Sequence, residues 1–316
     1  MKATAVAFFI FNRPDTTQRV FDRIADWRPR RLLVVADGAR QDRPGEETLC
    51  QQTRAIVDRV DWPCEIEQCY STVNLGCRDR TATGLNWVFE RVEEAIILED
   101  DCLPDPTFFR FASELLEKYR DDPQIMAISG DNFQPRSENH TGSYYFSRYF
   151  HCWGWATWRR AWSEYDMTMA EWPQLSTTDW LLSVLDGDAG ATQYWAQQFT
   201  AVCGNHINTW DYQFVYSIWK AEGLTILPRS NLVSNLGFRP DATHTSDPSN
   251  PLAALPLEPM SFPLQHPEKM RDRLADEWTQ QHLFSQPPMS GRRAGKYWSR
   301  LQRLFNRMRA GARCGA

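Results

Sequence analysis

The chain is short of several things, and each absence narrows what it can be. No stretch approaches 18 consecutive apolar residues, so no membrane-spanning helix is predicted. The eight cysteines form no C-x-x-C pair and no zinc spacing, which leaves buried free thiols in a reducing compartment. No G-x-G-x-x-G follows the first apolar run, which disfavours a dinucleotide enzyme, and no G-x-x-x-x-G-K-[ST] occurs, which disfavours a P-loop. A net charge of −5 argues against general nucleic-acid binding. The apolar run Ala5 to Phe11 is short and breaks at once into Asn12-Arg13-Pro14, so it is expected to be a first strand rather than a signal peptide.

What is present begins with 316 residues, 42% of them apolar, enough for one large domain or two small ones. Fourteen tryptophans suit either an aromatic core or surfaces that stack on sugar rings. Charge is uneven. From Gly291 on there are eight Lys and Arg and no Asp or Glu. Apolar residues at 298, 301, 304, 305 and 308 lie among those arginines, the pattern of a basic amphipathic helix. Such a helix either lies on an anionic membrane surface or packs on the domain with its charges solvated.

The most informative stretch runs from Ala95 to Pro104. Four apolar residues, Ala95-Ile96-Ile97-Leu98, lead straight into Glu99-Asp100-Asp101, and Pro104-Asp105-Pro106 then breaks the chain. A short apolar run between breakers reads as a buried central strand. In an open α/β sheet the carboxyl end of such a strand is where ligands bind. Three acids there repel one another unless a cation sits among them, and a hard divalent ion, Mn²⁺ or Mg²⁺, is the natural candidate. The alternative is that Asp101 or Asp105 merely caps the next helix.

The rest of the chain supplies the setting. Strands are predicted at 3–11, 31–36 and 65–69, and helices at 16–27, 47–60 and 81–94, an alternating α/β pattern with a parallel sheet. Asp37-Gly38 ends the second strand and is either a base- or ribose-binding acid or a plain turn. Arg78 and Arg80 precede the helix predicted at 81–94, a place suited to phosphate. A helix over 108–120 and a strand over 124–129 follow. Aromatic residues then crowd between Tyr144 and Trp162, and a strand plus a pocket-lining loop is expected. Asp211 opens a helix running to 222, as an N-cap, a general base, or both. His244 lies in a polar loop, and the segment from Ser246 to Pro267 is rich in Pro and Ser and is expected to be irregular.

Together these stretches resemble inverting nucleotide-sugar glycosyltransferases of the GT-A fold, with family 2 enzymes and N-acetylglucosaminyltransferase I as the nearest likenesses. The resemblance spans about residues 3–245. It rests on Phe11-Asn12-Arg13-Pro14, Asp37-Gly38, Asn74-Leu75-Gly76, Leu98-Glu99-Asp100-Asp101, Trp153-Gly154-Trp155 and Trp210-Asp211. It implies a Rossmann-like open mixed sheet flanked by helices over 1–245, divided into a nucleotide-binding half (1–130) and an acceptor half (131–245). An irregular extension (246–290) and the basic tail (291–316) follow. By resemblance, Asp101 would bind Mn²⁺ or Mg²⁺, joined by His244. Asp100 and Glu99 would hold ribose and sugar, Asp37 the base with Asn12 and Arg13 beside it, and Arg78 the diphosphate. Trp153, Gly154 and Trp155 would shape the sugar pocket, and Asp211 would be the general base. The chain departs from family 2 in having Ala36-Asp37-Gly38-Ala39 where an acidic pair and a serine are usual.

The implied activity is transfer of a hexosyl or N-acetylhexosaminyl group from a nucleoside-diphosphate sugar, first among them a UDP-sugar, to a carbohydrate or lipid-linked acceptor. The expected setting is surface polysaccharide or glycolipid synthesis in the cytoplasm, with the tail resting on the inner face of the plasma membrane. Two other readings remain. One is a sugar-phosphate nucleotidylyltransferase, which would carry a Gly- and Lys-rich loop where Asn12-Arg13-Pro14 stands. The other is a non-catalytic carbohydrate-binding protein, which explains the tryptophans and leaves the acidic strand unexplained.

Overall fold

A computed structural model describes residues 4–135, 142–239, 247 and 249–284. The first half alternates as the periodicity predicts: β1 (Ala5–Ile10), α1 (Pro14–Trp27), β2 (Arg31–Ala36), α2 (Glu46–Val57), β3 (Glu65–Tyr70), α3 (Gly76–Phe89) and β4 (Glu94–Glu99). There follow β5 (Cys102–Pro104), α4 (Pro106–Lys118), β6 (Ile125–Ser129), β7 (Tyr144–Ser147) and β8 (Trp155–Trp158). Three short helices, α5 (Arg159–Trp162), α6 (Trp172–Leu175) and α7 (Trp180–Val184), lead to α8 (Ala189–Cys203) and α9 (Asp211–Lys220). The chain then adds β9 (Leu224–Pro228), β10 (Val233–Asn235) and α10 (Arg273–Leu283).

Eight strands form one mixed sheet in the order β3-β2-β1-β4-β8-β6-β9-β7. Strands β3, β2, β1 and β4 are parallel to one another, β8 runs against both β4 and β6, and β7 runs against β9. This is a Rossmann-like α/β fold. Both faces are covered, as an apolar parallel sheet requires. Alternate residues of β1 show it: Val6, Phe8 and Ile10 pack on one side with α1, α2 and α4, while Ala5, Ala7 and Phe9 pack on the other with α3 and α5 to α9.

Some expectations need correction. Residues on both sides of 130 build the same sheet, since β8, β6, β9 and β7 continue it past β4. The 246–290 extension is not irregular throughout. It contains α10, capped by Asp272, whose side chain accepts from the Ala275 amide. Helix α3 begins at Gly76 rather than Thr81, because the turn before it is held from outside, as described below. Among the described residues no helix is long and apolar enough to cross a membrane. The basic tail and His244 lie outside the described residues.

Candidate functional site at the carboxyl edge of the sheet

From β1 the chain winds outward to β2 and β3, then returns to place β4 on the other side of β1. The gap between the carboxyl ends of β1 and β4 is therefore the topological switch point, the crevice where open α/β sheets bind ligands. Register places Phe9 beside Glu99, so the loop after β1 lies directly against the acidic triplet. The Phe11 amide donates to Asp100 Oδ2 at 2.9 Å. One Arg13 nitrogen, Nη1, donates to both Asp100 Oδ1 (3.1 Å) and Asp101 Oδ2 (2.6 Å). Downstream, the triplet is pinned by a second, two-stranded sheet in which Cys102 pairs with Asn235, and the Leu236 amide donates to the Asp101 carbonyl at 2.8 Å. The alternative that Asp101 caps α4 fails. Asp105 is that cap, accepting from the Thr107 amide at 2.8 Å.

Two carboxylates thus share one guanidinium, with the third, Glu99, within its field. Burial pushes the Glu99 carboxyl up to about 8, with the Asp101 and Asp100 charges adding to it. Burial likewise raises Asp100 to about 7 against the pull of Arg13. Excess negative charge of this kind is relieved by a hard cation, and carboxylate oxygens are its proper donors. Among the described residues no three His, Cys, Asp or Glu are placed to share one ion. A divalent ion fits here only in the manner usual for Mg²⁺: one carboxylate, Asp101, with the remaining ligands drawn from water and phosphate.

Asp37 and Arg78 are committed differently from the sequence expectation. Asp37 accepts from the Gly38 and Leu75 amides (2.9 Å each) through Oδ1, and from the Gly76 amide (2.9 Å) and Asn74 Nδ2 (3.0 Å) through Oδ2. It clamps the β3–α3 turn and caps α3 from another strand, so its oxygens are already engaged where a base was expected. Arg78 lies in the first turn of α3 rather than before it. Its guanidinium donates to Asp79 at 2.7 Å and to Asn205 at 2.5 Å, and its amide to Asn208 at 3.3 Å. These bonds tie α3 to the loop before Asp211 and occupy amides that a phosphate would need. Arg80 is buried and turns to the Cys69 carbonyl. The Asn12 side-chain amide is likewise taken, donating to Glu46 at 2.9 Å.

The tryptophan motif splits in two. Trp153 is half-exposed and stands edge-on to Phe133 (5.0 Å) and Phe238 (5.5 Å), available to a ligand. Trp155 is 1% exposed and is spent on the aromatic core. As the first residue of an interior strand it lies beneath α9, stacked at 5.5 Å and 22° on Trp210. Gly154 between them has φ +64, and a Cβ there would meet Val233 Cγ2 at 2.7 Å, so only glycine lets the chain turn so close to β10.

Asp211 is not an N-cap. Trp210 holds that position, no side chain caps α9, and the Asp211 carboxylate instead accepts from the Thr209 hydroxyl. Thr209 lies just outside the Trp210-Asp211 motif and was assigned no role. Two thiols feel the charges of both Asp211 and the triplet. Burial, then Glu99, then Asp211 push Cys77 up to about 12, and Cys152 is raised by burial and then by Asp211 and Glu99. Glu99 and Asp211 therefore act on the same two buried thiols, which sequence spacing did not single out.

A cavity of about 610 Å³ lies at the opposite, amino-terminal edge of the sheet, lined by Thr4, Arg31, Arg91, Glu94, Arg120 and Arg160 among others. Its arginines are largely spent on Glu67 and Glu94, so it is a balanced charged cleft rather than the reactive centre. No protein-family model and no curated protein matches the chain. Among solved structures it is similar to a 4-diphosphocytidyl-2C-methyl-D-erythritol synthase from Anaerococcus prevotii DSM 20548, at 11% identity and a TM-score of 0.30, over 56% of this chain and 77% of that one. A likeness of that size carries no argument.

Proposed function

We propose that the chain is an inverting glycosyltransferase of the GT-A type, moving a sugar from a nucleoside diphosphate to an acceptor hydroxyl. The observation that carries this reading is the meeting of Glu99, Asp100 and Asp101 with Arg13 at the switch point, with Asp211 near enough for its charge to act on Glu99. Arg13 fixes the rotamers of Asp100 and Asp101 and offsets part of their charge. Neutralising the charge that develops on the departing diphosphate is what a divalent ion held by Asp101 would supply. Asp211 takes the proton of the attacking hydroxyl. The Thr209 hydroxyl engages Oδ1 and orients the carboxylate, leaving Oδ2 without a protein hydrogen bond among the described residues. Attack from the Asp211 side, opposite the diphosphate, inverts the anomeric centre. Trp153 offers the aromatic face on which a sugar ring stacks.

Two variants separate the roles. Asp211→Asn should abolish transfer from a UDP-sugar, at least a hundredfold, while nucleotide affinity stays within twofold. Asp101→Ala should weaken Mn²⁺-dependent nucleotide binding at least tenfold. Undiminished transfer by Asp211→Asn would return that residue to a structural role. Release of pyrophosphate from a nucleoside triphosphate and a sugar phosphate would select a nucleotidylyltransferase instead.

A further inference from the structure

A second pair of chemically active side chains lies at the same edge of the sheet. Strand β6 lies antiparallel to β8, as β4 does, so Asp131, two residues beyond β6, emerges on the edge that carries Glu99. Strand β8 runs the other way, so His151, four residues before it, emerges there too. The two side chains are 1% and 2% exposed, and His151 Nδ1 stands 3.5 Å from Asp131 Oδ1. Apart from that approach and the Trp153 backbone beside Asp131, neither carboxylate oxygen and neither ring nitrogen has a hydrogen-bond partner in good geometry. Buried polar atoms so poorly partnered are costly, and such a pair calls for a ligand or water to complete it.

The pair is not needed to hold its own backbone. The Ser129 hydroxyl donates to the His151 carbonyl at 2.7 Å, the Gly130 amide donates to the Gly154 carbonyl at 2.7 Å, and the Asn132 amide donates to Asn231 at 3.0 Å. The imidazole is stacked on Phe133 at 4.6 Å, and Phe133 in turn meets Trp153. Its plane is therefore fixed while its nitrogens stay open, and a carboxylate beside Nδ1 sets which tautomer Nε2 presents. Position also matters. Cys152, the next residue, lies within the field of Asp211, Glu99 and Asp131 alike.

We propose that Asp131 and His151 form a binding site for a hydroxyl of the donor sugar, behind the half-exposed Trp153. This rests on the glycosyltransferase reading, and the test separates the two. Affinities of UDP and of UDP-glucose, UDP-galactose and UDP-N-acetylglucosamine would be measured by calorimetry with Mn²⁺, and GDP compared with GDP-mannose in the same way. The wild-type chain would be set against Asp131→Asn and His151→Gln, two variants so that a folding defect in one leaves the other. The expected result is at least a fivefold loss for one sugar nucleotide with the parent diphosphate unchanged within twofold. Equal changes for both, or no change for either, would overturn the assignment and leave a buried pair solvated by internal water. A wild-type chain that binds no nucleoside diphosphate would overturn the parent reading and this one with it.

Discussion

Asp101 has no room to spare. A Cβ on Gly237 would lie 2.1 Å from its Oδ2, nearer than two such atoms can approach, so the chain leaving β10 passes the carboxylate at a distance only glycine permits. Gly237→Ala should therefore push either the carboxylate or the 235–238 segment aside. The expected outcome is a folded protein, destabilised by about 1–3 kcal/mol, that has lost its Mn²⁺-dependent nucleotide response. A variant with lowered melting temperature and an unchanged response would show that Asp101 is free to move without consequence. At this scale the sequence was a good guide where chemistry is local. An apolar run that ends in three acids can be recognised without knowing its neighbours. Asp37 could not be read that way, because the amides that saturate it belong to residues 74–76, and nothing in Asp37-Gly38 announces them. Trp155 was misjudged for a related reason. Its burial follows from β8 lying between β4 and β6, a pairing that no local pattern encodes.

Among the elements, α10 was hidden by its surroundings. The Pro- and Ser-rich stretch before it dominates the composition, although Asp272 ahead of Ala275 is an ordinary helix-start signal. The helix is fastened through Asp276, which accepts from the Ser147 hydroxyl at 2.5 Å and lies beside Arg148 (3.4 Å) and Arg271 (3.2 Å). Burial outweighs those partners and raises its carboxyl from 3.8 to about 6. A raised carboxyl pKa means that the folded chain keeps this proton after the unfolded chain has released it. The contribution to stability is therefore full below pH ~4 and is lost as pH rises through about 6. The melting temperature of the wild-type chain, taken relative to Asp276→Asn, should fall across that interval. Parallel curves for the two proteins would contradict the assignment. Helix α9 shows the reverse case, an element located correctly in which only the capping role expected of its first residue fails. Asp211 begins the helix as expected, yet it does not cap it, and the Trp155–Trp210 stack beneath supplies the fixed position that a cap would have given.

Over the whole molecule, one sheet joins the nucleotide-type half to the aromatic half, and both contribute to a single edge. The parallel half was legible because strand–helix alternation has a strong periodic signal. The second half was less so, because its strands are four or five residues long, run in both directions and are crowded with aromatic residues that suit core and surface alike. What binds the two halves into one site is the antiparallel β8, which brings Cys152 and Trp153 to the same edge as Glu99 and Asp101. The account stands on that edge being a nucleotide-diphosphate site. The measurement that tests it most directly is thermal unfolding with UDP, GDP, CDP and dTDP, each with and without Mn²⁺, on the wild-type chain and on Asp101→Ala. A ligand that binds only the folded chain raises its melting temperature. The expected result is a rise with one diphosphate that needs Mn²⁺ and vanishes in Asp101→Ala. A folded wild-type chain that responds to none of the four, or responds equally without Mn²⁺ and without Asp101, would contradict it.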